Sequence, residues 1–130
     1  AFIAHARKLI ANLPDFISCV NMMIDDTTRF CECSGCTAPI KLPGGKVLKA
    51  SDEAHKSTLF FIFLNKVARD VAKFRPGLKI KCFGYFFTAV PPEVEIEDNI
   101  RISFCPYVRN DKEIELDDID SDSVSKLEKP

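Results

Sequence analysis

No stretch of the sequence approaches the run of about 18 apolar residues that a membrane-spanning helix needs. The longest apolar runs are "LFFIFL" and "FISCV", which excludes a helical membrane span. No internal repeat and no low-complexity segment appears, so a solenoid or fibrous array is excluded as well. Neither sign of charge dominates: 18 Lys and Arg stand against 19 Asp and Glu. Eight of the acids and three of the bases fall in residues 111–130, leaving the first 110 residues with a net charge of +4. That is too weakly basic for a nucleic-acid footprint, and the acidic end reads as a solvated tail or the start of a next element. The chain opens Ala-Phe-Ile with no basic leader ahead of an apolar core. Any targeting signal is therefore expected to have been removed or to lie outside this sequence.

What is present is an ordinary globular composition, 46% hydrophobic and 28% charged over 130 residues, sufficient for one domain with a core over about residues 1–110. Phe2, Ile3, Ala6, Leu9, Ile10 and Leu13 recur at helical spacing, and Pro14 with Asp15 closes the segment. "FISCVNMMI", 16–24, is apolar and β-branched without alternation, as a strand covered on both faces reads. Residues 25–50 lack periodicity and read as a long loop, a class that is usually functional or disordered. Phe60, Phe63, Leu64, Val67, Val71 and Phe74 form an apolar stripe, with Ser51 as N-cap, two acids behind it and "RPG" as terminator. A helix over 51–74 is expected. "LKIKCFGYFF", 78–87, and "IRISFC", 100–105, read as strands, and the 90–99 link is too short for a good helix.

The order helix, strand, long loop, helix, strand, loop, strand is that of an α/β fold: a parallel three-stranded sheet with flanking helices and right-handed crossovers. Three strands cannot close a barrel, for which about 250 residues is typical, but they suit an arc of a (β/α)8 barrel. Ligands of parallel sheets bind beyond the carboxyl ends of the strands. Asp25 and Asp26 lie just past the first strand, Tyr85 at the end of the second, and Tyr107 and Arg109 just past the third. Paired carboxylates among aromatics suit glycoside chemistry, in which one acid protonates the leaving oxygen and another carboxylate activates water or stabilises positive charge at the sugar. Neighbours on an extended chain point to opposite faces, so both aspartates face one substrate only if the backbone turns. An Asp-Asp turn bonding its own loop backbone is the equally weighted alternative.

Six cysteines are many for this length but too few for a disulfide scaffold. Cys19, Cys82 and Cys105 sit in apolar runs and read as small hydrophobes. Cys31, Cys33 and Cys36 offer three thiolates within six residues, and a structural zinc or a disulfide such as Cys31–Cys36 are equal readings. His55 is a conceivable fourth ligand but reads more naturally as an exposed residue near a helix start; His5 has nothing nearby to pair with. Thioredoxin-type redox catalysis is disfavoured, because its motif opens a helix directly after a strand.

"IDDTTRFCECSGC", "SDEAHKSTLFFIFLNKVARDVAKFRPGLKI", "GYFFTAVPP" and "NIRISFCPYVR" together resemble a family of large bacterial proteins of unknown function that are similar to barrel glycoside hydrolases of the α-glucuronidase and β-hexosaminidase type. The likeness spans about residues 15–110. It implies a piece of a (β/α)8-type domain of an exported protein acting on carbohydrate; no cofactor is required, and a structural zinc remains one of the two readings of the cysteines. Asp25 is the position that would inherit the proton-donor role, with Asp26 as substitute. No Glu follows the strand, so activity of these 130 residues by themselves is not expected. The rival reading is a non-catalytic α/β module whose cysteine loop binds zinc or a protein partner. Uncovered strand edges imply self-association, most simply a homodimer.

Overall fold

The computed structural model describes residues 2–24 and 29–105. It is an α/β fold with two helices, α1 (Phe2–Ala11) and α2 (His55–Phe74), and a three-stranded parallel sheet. The sheet is formed by β1 (Cys19–Asn21), β4 (Lys79–Gly84) and β5 (Ile100–Phe104) in spatial order β1-β4-β5. A second, two-stranded antiparallel sheet pairs β2 (Ile40–Lys41) with β3 (Val47–Leu48). An arc of a barrel is consistent with this layout. No helix among the described residues is long and apolar enough to cross a membrane.

Registered residues share a face of the sheet. Val20, Ile80 and Ile100 form one row, and they belong to the core that Phe61, Leu64, Val67, Ala68 and Val71 of α2 and Ile10 of α1 complete. Fully burying such side chains is worth about 1.5–3 kcal/mol each, so the α2 stripe against β4 is the main apolar contact. The opposite face carries Cys19, Asn21, Lys79, Lys81 and Arg101. Gly84 belongs to the helix side, where a Cβ would stand 3.2 Å from Cδ2 of Phe104 and 3.3 Å from Cγ2 of Ile102. Those two side chains nonetheless remain 47% and 44% exposed.

Several sequence expectations need correction. β1 has three residues rather than nine and is not covered on both faces: Phe16 is 83% exposed, and Cys19 and Asn21 are exposed too. Among the described residues only β4 pairs with it, and β1 is an edge of the sheet. Helix α2 starts four residues late, because Asp52 turns the chain first. Its carboxylate accepts the Lys49 amide at 2.7 Å and its carbonyl accepts the His55 amide at 3.0 Å, so Ser51 caps nothing. The second strand ends at Gly84 rather than Phe87. The supposed featureless loop contains the β2–β3 hairpin, turned at Gly44 and Gly45 with φ of 84° and 87°, values that favour glycine. Its Ile40, Leu42 and Leu48 pack on Leu59, Ile62 and Val94.

The return from β4 to β5 has no α-helix. It runs beside α2, held by buried polar side chains that interrupt the apolar stripe. Ser57 donates to the Val90 carbonyl at 2.6 Å, Thr58 accepts the Glu93 amide at 2.9 Å, and Asn99 donates to the Ala68 carbonyl at 2.9 Å. Asn65 both donates to the Glu95 carbonyl at 2.7 Å and accepts the Glu97 amide at 3.1 Å. At the other end of α2, Arg75 donates to the carbonyls of Ile10, Leu13, Pro14 and Ile17 at 2.6–3.2 Å, tying α1 and the approach to β1 to the helix terminus. Arg7 forks onto Asp70, at 2.8 Å and 2.5 Å; its hydrogen bond holds the Asp70 carboxyl below the usual carboxylate range.

Replacing Asn65 by Ala orphans one donor and one acceptor of the strap. Leaving a buried group unpaired costs about 1–3 kcal/mol, so Asn65→Ala is expected to lower unfolding free energy by that order. Hydrogen exchange at the Glu97 amide should accelerate more than exchange in β4; equal protection at Glu97 would mean that the strap is held by something else.

Candidate functional site

Parallel strands and the start of α2 bring their ends to one rim. Past β4 the chain tightens into a 3-10 turn, Phe86–Ala89. The buried Thr88 hydroxyl accepts the Tyr85 amide at 3.0 Å and lies 2.8 Å and 2.7 Å from the carbonyls of Phe83 and Tyr85. Phe86 sits at φ 49°, a left-handed conformation that is strained for a bulky side chain. Its ring lies 4.0 Å from that of Tyr85. Tyr85, Phe83, Met23, Ile24 and Cys105 line an open cleft of about 480 Å³ at the carboxyl end of all three strands. Of the residues expected at this rim, the structure brings Tyr85 into the cleft. Asp25, Asp26, Tyr107 and Arg109 lie outside the described residues. Ile24, the residue before Asp25, lines the cleft.

The cysteine loop is joined to this rim through Phe87. Phe30 meets Phe87 edge-on at 5.2 Å, and Phe87 in turn meets Phe60 of α2 at 6.4 Å. This aromatic ladder anchors the loop just before Cys31. After the cysteines, His55 fixes it again: its Nε2 lies 2.9 Å from the Ala38 carbonyl, so that nitrogen carries the proton and donates. His55 is 1% exposed, correcting the expectation of an exposed cap-region residue. Between these anchors residues 33–37 make one tight turn, in which the Cys36 and Thr37 amides and the Thr37 hydroxyl all donate to the Cys33 carbonyl at 3.0 Å.

That turn gathers the sulfurs of Cys31, Cys33 and Cys36 within 4.8 Å of one another, and the trio could hold a metal ion. Tetrahedral zinc ligands about 2.3 Å from the ion stand about 3.8 Å apart, so binding asks for a contraction of about 1 Å at most. None of the three is bonded to another here. His55 is not brought into the cluster. A second cleft, about 750 Å³, adjoins the trio and is lined in part by Cys31, Cys36, Arg29, Lys56 and His55. The trio does not titrate uniformly. The Cys36 amide, then the Cys31 thiol, donate to the Cys33 sulfur and lower its pKa to about 7. The Cys36 thiol is the donor in its hydrogen bonds to the Cys31 and Cys33 sulfurs, which favours its protonated form and holds it up at about 11.

The isolated cysteines divide differently from expectation. Cys82 is buried in the core, where desolvation pushes its thiol up to about 11. Cys105 is half-buried in the Tyr85 cleft, and Cys19 is exposed. Sequence reasoning overlooked Met23, Ile24 and Phe83 as lining residues, although their position just before or after a strand end was signal enough, and Arg29, for which the loop offers no such signal.

The model of a family described as "Domain of unknown function (DUF4838)" matches residues 2–129. No curated protein and no solved structure matches the chain.

The unequal thiols are open to a direct measurement. Limiting iodoacetamide on the reduced protein is expected to label Cys33 first, at a rate that rises as pH climbs through about 7, because the thiolate is the nucleophile. Cys82 should stay unlabelled until the chain unfolds. Peptide mass mapping that finds equal labelling of Cys33 and Cys36 at neutral pH would refute the assignment.

Proposed function

The chain belongs to the DUF4838 family, and on that premise we propose that it handles carbohydrate at the carboxyl rim of its sheet, as an arc of a glycoside-hydrolase-like (β/α)8 domain of an exported protein. The observation that carries the reading is the cleft in which Tyr85 meets Met23 and Ile24, one residue short of the Asp25–Asp26 pair. An aromatic face suits the C–H face of a sugar ring, and a carboxyl group beside it suits proton transfer to a glycosidic oxygen. In this reading Asp25 is the proton donor, Asp26 braces the loop or serves as second carboxylate, and Tyr107 and Arg109 hold substrate at the third strand. Exposed apolar side chains at the β5 edge favour self-association of the chain alone.

The second reading, a non-catalytic module built around the cysteine loop, is favoured by the thiol trio itself. The two are compatible where a zinc held by Cys31, Cys33 and Cys36 braces the loop. The ion would supply a cross-link between backbone segments; the chain's own residues supply three donors on one tight turn. Against the module reading by itself, the cysteine loop leaves the Tyr85 cleft open, the lining residues of the two clefts being distinct.

The natural protein is expected to bind members of a neutral and acidic oligosaccharide panel saturably by calorimetry. Tyr85→Ala should raise Kd about ten-fold, the equivalent of about 1.4 kcal/mol. Asp25→Asn should keep binding while lowering turnover of a responsive glycoside by about 10²-fold or more, the scale of general acid–base work. Unchanged turnover with Asn at position 25 would remove the catalytic assignment. Binding indifferent to Tyr85→Ala would remove the rim site.

A further inference from the structure

We propose that the Cys31–Cys33–Cys36 trio is an open metal site, holding a zinc-like divalent ion through three thiolates and leaving its fourth position to a small anionic ligand drawn from the adjoining cleft. The inference rests on the metal reading of the trio and is independent of the carbohydrate reading. A closed structural zinc needs four protein ligands, whereas three protein ligands and one exchangeable position mark a site that binds something further. Among the described residues no fourth Cys, His, Asp or Glu joins the cluster.

His55, the natural candidate by proximity in sequence, lines the cleft and donates its Nε2 proton to the Ala38 carbonyl, but its ring nitrogens stand outside the sulfur cluster. The sulfurs face solvent instead: Cys31 and Cys33 are exposed and Cys36 half-buried. The cleft beside them, about 750 Å³, has room for a small molecule.

The charges of the cleft select the ligand. Three thiolates on a divalent ion carry a net charge of −1, which would repel an anion unless cations stand nearby. Arg29 and Lys56 line the cleft against a single acid, Glu32, which leaves its charged side chains net positive, and the Lys56 ammonium stands 5.5 Å from the centre of the Phe30 ring. Both belong to the rigid wall, since Phe30 is fixed through Phe87 to α2 and Lys56 is the second residue of that helix. A small anion at the open position would thus share one cleft with two cations.

Cobalt(II) reports both features by absorption. The reduced full chain is expected to take up one cobalt ion, with thiolate-to-cobalt charge transfer scaled to three sulfurs and lost in Cys33→Ser. Azide should then shift the visible ligand-field bands saturably. Lys56→Gln should weaken azide several-fold while leaving cobalt uptake unchanged. Failure to take up cobalt would overturn the metal reading itself. Uptake with bands indifferent to azide in the wild type would overturn the open position alone. An azide response appearing only in Asp25→Asn or Asp26→Asn would do the same, identifying an aspartate as the fourth ligand.

Discussion

Two neighbouring parallel strands impose one demand on this fold: after β4 the chain must travel back along the sheet before β5 can begin. A helix usually makes that journey because it satisfies its own backbone. Here residues 90–99 make it without a helix, as a partly exposed segment whose inward-facing donors and acceptors something else must satisfy. The helix α2 does so with Ser57, Thr58, Asn65 and the Ala68 carbonyl, over four successive points of contact. It therefore has two working faces, an apolar one for the sheet and a polar one for the strap. The placement of β5, and with it the third corner of the rim, depends on the second face.

The same helix fixes both ends of the domain. At its carboxyl end Arg75 binds four carbonyls of the α1–β1 connection, using a planar fork that a lysine could not match. At its amino end the helix presents His55 and Lys56 to the cysteine loop, while Phe60 reaches it through Phe87. The rim is consequently a rigid wall with a loop pinned to it at two points. Between those points lies the one turn that concentrates thiols.

The rim carries two clefts of different character. One is apolar with a phenol and lies where the first strand leads into the aspartate pair; the other is lined by two cations and one acid and edged with sulfur. Both sit at the same end of the sheet for one reason, namely that loops and helix starts converge beyond strand carboxyl ends. In the proposed function the first meets the sugar and the second stiffens the loop between strand and helix. An open coordination position would give the second cleft a ligand of its own.

The sequence by itself determined the helices, the strand identities and the class of fold, because each is written in a local period: the Phe60–Phe74 stripe at helical spacing, Leu78–Cys82 and Ile100–Phe104 at spacing two. It also placed Tyr85 at the rim and grouped the three cysteines, since both follow from position along the chain. Tertiary structure alone decided the rest. Whether the apolar run 16–24 is covered depends on neighbours that a local pattern does not encode, and β1 has a strand on one side only. Ser57, Thr58 and Asn65 read as neutral helix residues until the strap lies against them. His55 reads as a surface residue until Ala38 folds over it, and the hairpin at 40–48 is too short to show a period. Periodicity records what one element buries; which distant backbone needs a side-chain partner is settled only when two elements meet.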